Sequence, residues 1–236
     1  MASRQEKKEE RRRERLERER KEAAAVARLK RLQLAGGGLL GLAVLAAATV
    51  AVAAGLGGGG DTGDKAPSSA ASSSVKLPTQ QTSDYEAAAK AAGCELPNPA
   101  FEDAGHEEKD FKASDYKTNP PTSGTHFPEW YDDGVYEPGT TPNLGKLVHT
   151  LEHGRIDVQY KRGTPKGTVE ELEALVAEQN EGYHMLLFEN TTDMPYAVAA
   201  TAWTHLLGCP TMNNKVFDAL RTFRARYIDK GLENAP

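Results

Sequence analysis

The stretch that decides the fold is LVHTLEHGRIDVQY, residues 147–160. Its first half predicts two helical turns, and Gly154 supplies the residue in the left-handed conformation that commonly ends a helix. After that glycine, Ile156, Val158 and Tyr160 alternate with polar residues, a pattern that predicts a strand with one buried face. The sequence therefore predicts a tight helix-to-strand corner at Gly154.

Regular elements are predicted on both sides of this corner. Asp84 can cap a short helix that ends at Gly93, and a capping box of Thr168 and Glu171 opens the clearest helix of the chain. Two strands rich in apolar residues follow, and residues 213–231 form a last amphipathic helix. The order helix, strand, helix, two strands and helix predicts a small α+β domain.

A long segment before the corner shows little sign of regular structure. Residues 95–144 are rich in Pro, Gly, Asn and Asp, and they include PPTSGTHFPEWYDDG. Loops of this length in a compact domain are usually functional or disordered, and the aromatic side chains here favour order. The sequence predicts a long, ordered Pro/Gly-rich loop, on which Trp130, Tyr131 and Tyr136 are candidates for a surface that recognises another molecule.

The N-terminal segment has the opposite charge to the rest of the chain. Of 29 Lys/Arg and 34 Asp/Glu, 13 basic and 7 acidic residues lie in 1–33, a net of +6, which leaves −11 for 34–236. We interpret 1–33 as a cytoplasmic arm, partly helical or disordered, that is attracted to anionic lipid headgroups. Its composition permits a coiled coil, but no sustained apolar heptad supports one. Interspersed glutamates and the lack of aromatic residues disfavour nucleic-acid binding.

A transmembrane helix is predicted at residues 34–56, where 23 consecutive residues carry no charge. A helix of about 20 apolar residues crosses the hydrocarbon core of a bilayer. A cleaved signal peptide is the alternative, but the basic region and the apolar run are both longer than a signal peptide requires. The positive-inside rule places the N-terminus in the cytoplasm. Residues 57–83 then form a disordered Gly/Ser/Pro linker, and 84–236 a single extracytoplasmic domain.

The two cysteines, Cys94 and Cys209, both lie on the outer side of the predicted span. An oxidising compartment favours their pairing, although two free core cysteines are the alternative. For a loop of about 100 residues the chain-entropy model gives at most about 4–5 kcal/mol of stabilisation. We expect a disulfide that joins the start of the domain to its final strand.

The corner segment contains two of the six histidines, in the pattern H-x-x-E-H. On a helix His149 and His153 project from the same face and can share a metal ion, and Glu152 could activate a metal-bound water. The pattern is also the inverted zinc-peptidase signature, and HTLEH resembles the metal-binding helices of S-ribosylhomocysteinases and insulinase-type peptidases. Those resemblances stop at these residues, and Gly154 prevents the long helix that such enzymes use. The pattern alone therefore does not predict a peptidase.

A longer set of motifs resembles one bacterial family. NPPTSGTHFP, GVYEP, LVHTLEHGRIDVQY, AVAATAW and the closing helix occur in this order within residues 84–236. This region resembles domain-of-unknown-function family 3105, whose members are often attached to one N-terminal membrane helix. The resemblance implies an extracytoplasmic domain on a bacterial cell membrane, and it implies no activity. Its motifs single out His126, His149 and His153 as candidate metal ligands.

Three imidazole ligands would suit zinc or copper and would leave a fourth position for water, another residue or a substrate. Structural roles compete with this interpretation, because a histidine can brace a loop or interact with the dipole at the end of a helix without a metal. The sequence thus predicts an extracytoplasmic binding domain with a candidate metal site. A hydrolase with Glu152 as base and a metal-free envelope protein are the alternatives, and the protein or small-molecule partner is left open.

Overall fold

The computed structural model of the chain describes residue 67, residues 75–141 and residues 143–233. All of them belong to one unit, residues 60–236. The predicted arm at 1–33 and the predicted transmembrane helix at 34–56 lie outside the described residues. No helix within the described part of the chain is long and apolar enough to cross a bilayer.

The described chain forms an α+β domain, as the sequence predicts. Its helices are α1 (Tyr85–Ala92), α2 (Leu144–Glu152), α3 (Lys166–Ala177) and α4 (Val216–Tyr227), with 3₁₀ turns at Ala113–Asp115 and Asn180–Gly182. Its strands are β1 (Gly134–Val135), β2 (Ile156–Tyr160), β3 (Met185–Glu189), β4 (Val198–Ala202) and β5 (His205–Cys209).

The five strands form one mixed sheet in the order β1-β3-β2-β4-β5. Strands β1, β3 and β2 run parallel, whereas β4 is antiparallel to both β2 and β5. The sequence prediction missed β1, which has only two residues, and β5. Strand β5 follows β4 after only Trp203 and Thr204, and Thr204 has a positive φ of 63° without being Gly or Asn, so the usual hairpin signature is missing.

Both faces of the sheet are covered. On one face, alternate residues of β2 to β5 pack against α1, α3 and α4. On the other face, Leu186 and Phe188 of β3 pack against α2 and against aromatic residues of the long loop. All five residues of β2 are therefore buried, and the prediction of a strand with only one buried face was wrong. A central strand of a covered sheet loses the polar-out alternation of an exposed one.

The helix-to-strand corner is confirmed. Helix α2 begins after Asn143, whose side-chain oxygen accepts a hydrogen bond from the Lys146 N–H. It ends before Gly154, which has φ of +80° and donates its N–H to the Leu151 carbonyl at 3.0 Å. The corner places the last turn of α2 directly before the central strand, which fixes the orientation of the side chains on that turn.

Two other helix starts test the sequence interpretation. Asp84 caps α1 by accepting a hydrogen bond from the Ala87 N–H at 2.7 Å, as predicted. The prediction of a capping box at Thr168 is wrong, because α3 already begins at Lys166 with Pro165 at its N-cap. Proline at a helix start sets the backbone angle without any side-chain hydrogen bond.

The folded domain begins before the predicted boundary at Asp84. Leu77 packs against the core, and the Gln81 N–H donates to the Asp218 carboxylate at 2.8 Å. Arg221 donates to the Pro78 carbonyl at 2.9 Å, so the end of the predicted linker lies along α4. Cys94 and Cys209 form the predicted disulfide, which joins the end of α1 to β5.

Candidate metal centre

The long loop brings two histidines together through a short backbone pairing. The Glu107 N–H donates to the His126 carbonyl at 2.9 Å, and the His126 N–H donates to the Gly105 carbonyl at 2.8 Å. This bridge places the side chain of His106 beside that of His126, with ring centroids 4.5 Å apart. Helix α2 supplies His149 from its last turn to the same place, 4.7 Å from the His126 ring.

Four side chains converge at this point: His106, His126, His149 and Glu152. One ligand atom from each lies within 4.8 Å of the others. The Glu152 Oε2 atom lies 3.1 Å from His126 Nε2, 3.5 Å from His106 Nε2 and 3.9 Å from His149 Nε2. The Nε2 atoms of His106 and His126 are 3.1 Å apart. We call this group the four-ligand cluster.

Backbone carbonyls fix the orientation of two of the imidazoles. The Nδ1–H of His126 donates to the Gly124 carbonyl at 2.8 Å, and that of His149 donates to the Phe127 carbonyl at 2.7 Å. A carbonyl oxygen only accepts, so the neutral ring carries its proton on Nδ1 and its lone pair on Nε2. A histidine ligand of a metal is typically held by the same kind of hydrogen bond from its other ring nitrogen.

The cluster is largely removed from water. His126, His149 and Glu152 are 0%, 3% and 1% exposed, whereas His106 lies at the surface. Burial lowers the pKa of His149 to about 3, so its imidazole is neutral at pH 7. Burial alone would raise the pKa of Glu152, but a proton shared with His126 and positive charge on the neighbouring imidazoles outweigh it and hold the pKa below its usual value. A buried carboxylate therefore faces buried imidazole nitrogens.

The spacing of the four ligand atoms fits a tetrahedral ion. Metal–nitrogen bonds of about 2.0–2.1 Å to zinc imply about 3.3 Å between neighbouring ligand atoms. The four separations from Glu152 and between His106 and His126 are 3.1, 3.5, 3.9 and 3.1 Å. The two remaining separations, from His149 to the other imidazoles, lie within 4.8 Å, so the ligand atoms would have to draw together to surround one ion.

The sequence matches one known protein family. Residues 108–234 match the family described as Protein of unknown function (DUF3105), which covers more than half of the chain. The chain belongs to the DUF3105 family. No curated protein and no solved structure matches it. His126, His149 and Glu152 fall inside the matched region of this DUF3105 domain, whereas His106 lies two positions before it.

The third predicted ligand, His153, lies beside the cluster and not within it. Its Nε2 atom is 3.0 Å from His149 Nε2 and 3.7 Å from the Glu233 carboxylate. Among the described residues, His153 instead groups with Glu152 and Glu233. The predicted trio is therefore split, and His106 and Glu152 complete the set around His126 and His149.

Aromatic rings flank the histidines of the DUF3105 domain. Trp130 contacts His153 and His149 edge-on, with centroids 4.4 and 5.3 Å apart, and Trp203 contacts His126 at 5.9 Å. Trp130 is partly exposed, but Tyr131 and Tyr136 are 4% and 3% exposed and belong to the core. The predicted recognition surface therefore cannot include Tyr131 or Tyr136, and the prediction is wrong for these two residues.

Sequence reasoning missed His106 and Glu233 as neighbours of the cluster. His106 lies in an irregular segment with no periodicity, and only its backbone bridge to His126 brings it in. Glu233 follows the last helix, where no motif marks it. The one available signal for His106 was that it lies in the same Pro/Gly-rich loop as His126. His184, predicted to be structural, is buried, and its Nδ1–H donates to the Asp229 carboxylate at 2.7 Å.

Proposed function

We propose that this DUF3105 domain binds one zinc ion through the Nε2 atoms of His106, His126 and His149 and a carboxylate oxygen of Glu152. The domain then acts as a metal-binding module and not as a hydrolase. Imidazole nitrogens suit both zinc and copper, but a tetrahedral set with one carboxylate favours zinc over copper(II), which prefers tetragonal geometry. Copper is the second ion to test.

The proposal rests on lone pairs of several ligand atoms that face one another at one buried point. With Nδ1 of His126 bonded to a carbonyl, its Nε2 lone pair faces the Glu152 carboxylate at 3.1 Å. Two acceptors at this distance repel each other unless a proton or a metal ion lies between them. The nearby Nε2 atoms of His149 and His106 make a metal ion the better match, because it accepts all four ligands at once.

The hydrolase alternative requires Glu152 to act as a free base beside a metal-bound water. Glu152 is 1% exposed, and its Oε2 atom is 3.1 Å from a histidine nitrogen of the cluster. These facts favour a ligand role for Glu152. A ligand bound to the metal is a poor general base because its lone pair is already engaged.

The site can be tested on the full-length chain purified in detergent, by elemental analysis and by zinc and copper titration after chelation. We expect one tightly held ion per chain. The double variant His126→Ala/His149→Ala should lose it, whereas the control His205→Ala should keep it. His205 is half-buried and stacks on Tyr227 away from the cluster. A wild-type chain that binds neither ion would end the proposal.

The two tryptophans of the chain provide an independent reading of the same titration. Both contact histidines of the site, Trp130 at His149 and His153 and Trp203 at His126. Copper(II) quenches nearby indole fluorescence, so one equivalent should quench most of the emission. Unchanged emission with bound copper would place the ion elsewhere.

We propose further that a single transmembrane helix at 34–56 tethers this domain outside a bacterial cell membrane, with the basic arm at 1–33 in the cytoplasm against anionic lipid. The uncharged segment and the charge asymmetry support this topology. The Cys94–Cys209 disulfide supports an oxidising compartment. Protease added to intact spheroplasts should remove the domain; a protected domain would contradict this topology.

A further inference from the structure

The C-terminal segment, residues 229–233, crosses the helix-to-strand corner next to the four-ligand cluster. The Asp229 N–H donates to the Gly154 carbonyl at 2.9 Å, and the Glu233 N–H donates to the Glu152 carbonyl at 2.9 Å. Between these bonds, a Cβ atom on Gly231 would overlap the Glu152 carbonyl oxygen, so the two backbones are in direct contact. Backbone contacts therefore set the position of Glu233.

This position directs the Glu233 carboxylate towards His153. Glu233 Oε2 lies 3.7 Å from His153 Nε2, and ligand atoms of Glu152, His153 and Glu233 all lie within 4.8 Å of one another. Two carboxylates and an imidazole are typical ligands of divalent cations. Glu152 belongs to this group and to the four-ligand cluster, so the two groups share a carboxylate.

His153 itself points to a ligand. It is only 5% exposed, and within the described part of the chain its Nδ1 atom has no hydrogen-bond partner. Its Nε2–H donates to the His149 Nε2 lone pair at 3.0 Å, because His149 Nδ1 already donates to a carbonyl, and a metal ion bound at both nitrogens would replace this hydrogen bond. Buried polar nitrogens normally have partners, and Nδ1 of His153 lacks the backbone carbonyl that accepts from Nδ1 of His126 and of His149.

We propose that His153 and Glu233 hold a second divalent cation beside the zinc ion, with Glu152 as the carboxylate shared between the two ions. This inference rests on the proposed function of the four-ligand cluster. Two carboxylates balance much of the charge that the second ion adds. In two-metal sites the ions lie about 3.5–4 Å apart, a distance that the two oxygens of one shared carboxylate can span. The second site has fewer protein ligands and an exposed one, Glu233, so it binds more weakly and keeps positions open to solvent.

The test is a zinc titration of the full-length chain in detergent, with stoichiometry from elemental analysis after gel filtration at rising free zinc. We expect two ions per chain, the second bound at least about tenfold more weakly. Glu233→Gln keeps the backbone hydrogen bond and should bind one ion. Its control, Glu170→Gln, alters a partly buried carboxylate that pairs with Lys166 on α3 and should bind two.

Single-tryptophan variants assign each ion to its site by copper(II) quenching. Trp203→Phe leaves Trp130, which contacts both His149 and His153 and should be quenched further by the second ion. Trp130→Phe leaves Trp203, which contacts His126 and should be quenched by the first ion alone. Quenching of Trp130 at the second equivalent, lost in Glu233→Gln, supports the proposal.

Two results overturn the second site while the first stands: a single ion that is lost in His126→Ala, or two ions that both persist in Glu233→Gln. A chain that binds no ion removes the proposed function as well. The failure of the second site is thus distinguishable from the failure of the first.

Discussion

At the scale of single residues, Glu152 connects the two groups of ligands. Its carboxylate is the only negative charge within the four-ligand cluster, and it lies next to three imidazole nitrogens. Loss of a residue that merely orients a ligand weakens metal binding about 10–100-fold. Loss of the charged ligand itself should weaken it by at least as much.

We therefore expect Glu152→Gln, which keeps the side-chain shape, to lower zinc affinity at least about tenfold. Competition with a chromophoric chelator measures the change, and Glu170→Gln serves as the control. Circular dichroism at matched temperature separates a loss of affinity from a loss of fold. Equal affinities for Glu152→Gln and the wild type would exclude Glu152 from the ligand set.

The buried imidazoles predict an acid-sensitive domain when metal is removed. Burial lowers the pKa of His149 to about 3 and that of His153 to about 4. Their unfolded value is about 6.5, so below that pH the unfolded chain binds more protons and the free energy of unfolding falls. The contribution of the two neutral imidazoles to the free energy of unfolding is fully present above about pH 7 and is lost as the pH decreases towards 4.

In the chain from which metal has been removed by a chelator, each of the two histidines should lower the free energy of unfolding by up to about 2 kcal/mol between pH 7 and pH 5. Denaturant unfolding followed by tryptophan fluorescence measures this slope. His149→Gln removes one of the two groups and should flatten it, whereas His205→Gln, outside the cluster, should flatten it less. A free energy of unfolding that does not change between these pH values would contradict the burial of neutral imidazoles.

At the scale of elements, the glycine at the corner combines two demands. Gly154 has φ of +80°, and a Cβ atom there would lie 2.9 Å from the Asp229 Cα atom. Gly163 has almost the same φ, +81°, but has open space around it. Alanine substitutions at Gly154 and Gly163 therefore separate the free-energy cost of a left-handed backbone from the cost of displacing the C-terminal segment.

Gly163→Ala should lower the free energy of unfolding by about 1–2 kcal/mol, the usual cost of a left-handed alanine. Gly154→Ala should cost clearly more and should also weaken the second metal site, because it moves the segment that carries Glu233. Gly167→Ala, inside α3 with nothing within 4 Å, should be neutral or stabilising. Equal losses for Gly154→Ala and Gly163→Ala would mean that the C-terminal segment moves aside freely.

Elements with their own local signal were predictable. The cap at Asp84, the stop at Gly154 and the apolar face of α4 each follow from side chains within one helix. Strand β1 has only two residues, and β5 follows a turn without a turn signature, so neither produces a periodic pattern. The burial of both faces of β2 depends on which elements cover the sheet, a tertiary property that local pattern does not contain.

The candidate site divides in the same way. His149 was predictable because a helix places it on one face with His153, and His126 because its loop motif resembles a family pattern. Glu152 was predicted only as a possible base and not as a ligand. His106 reaches the cluster only through a backbone bridge between two irregular segments. Glu233 reaches it across the fold, from beyond α4. Contacts between segments distant in sequence leave no spacing that a reader of the sequence can use.

At the scale of the whole molecule, the sheet separates two regions with different tasks. One face carries the larger apolar core with α1, α3 and α4, and this core includes Cys209. The other face carries α2 and the long loop, which together supply the four-ligand cluster. The disulfide and the candidate metal centre therefore lie on opposite sides of the domain, and each should tolerate loss of the other.

This separation gives a prediction for the disulfide. Cys94→Ala/Cys209→Ala removes a link between residues 115 positions apart, whose entropic contribution is at most about 4–5 kcal/mol. We expect the thermal midpoint of the zinc-bound chain to fall by about ten degrees or more. Zinc stoichiometry at 20 °C should stay unchanged, because no cysteine lies among the ligands. Reduction of the wild type by dithiothreitol should reproduce the shift, with the double variant as the control that no longer responds. An unchanged midpoint, or loss of zinc together with the disulfide, would show that the two sides of the sheet are not independent.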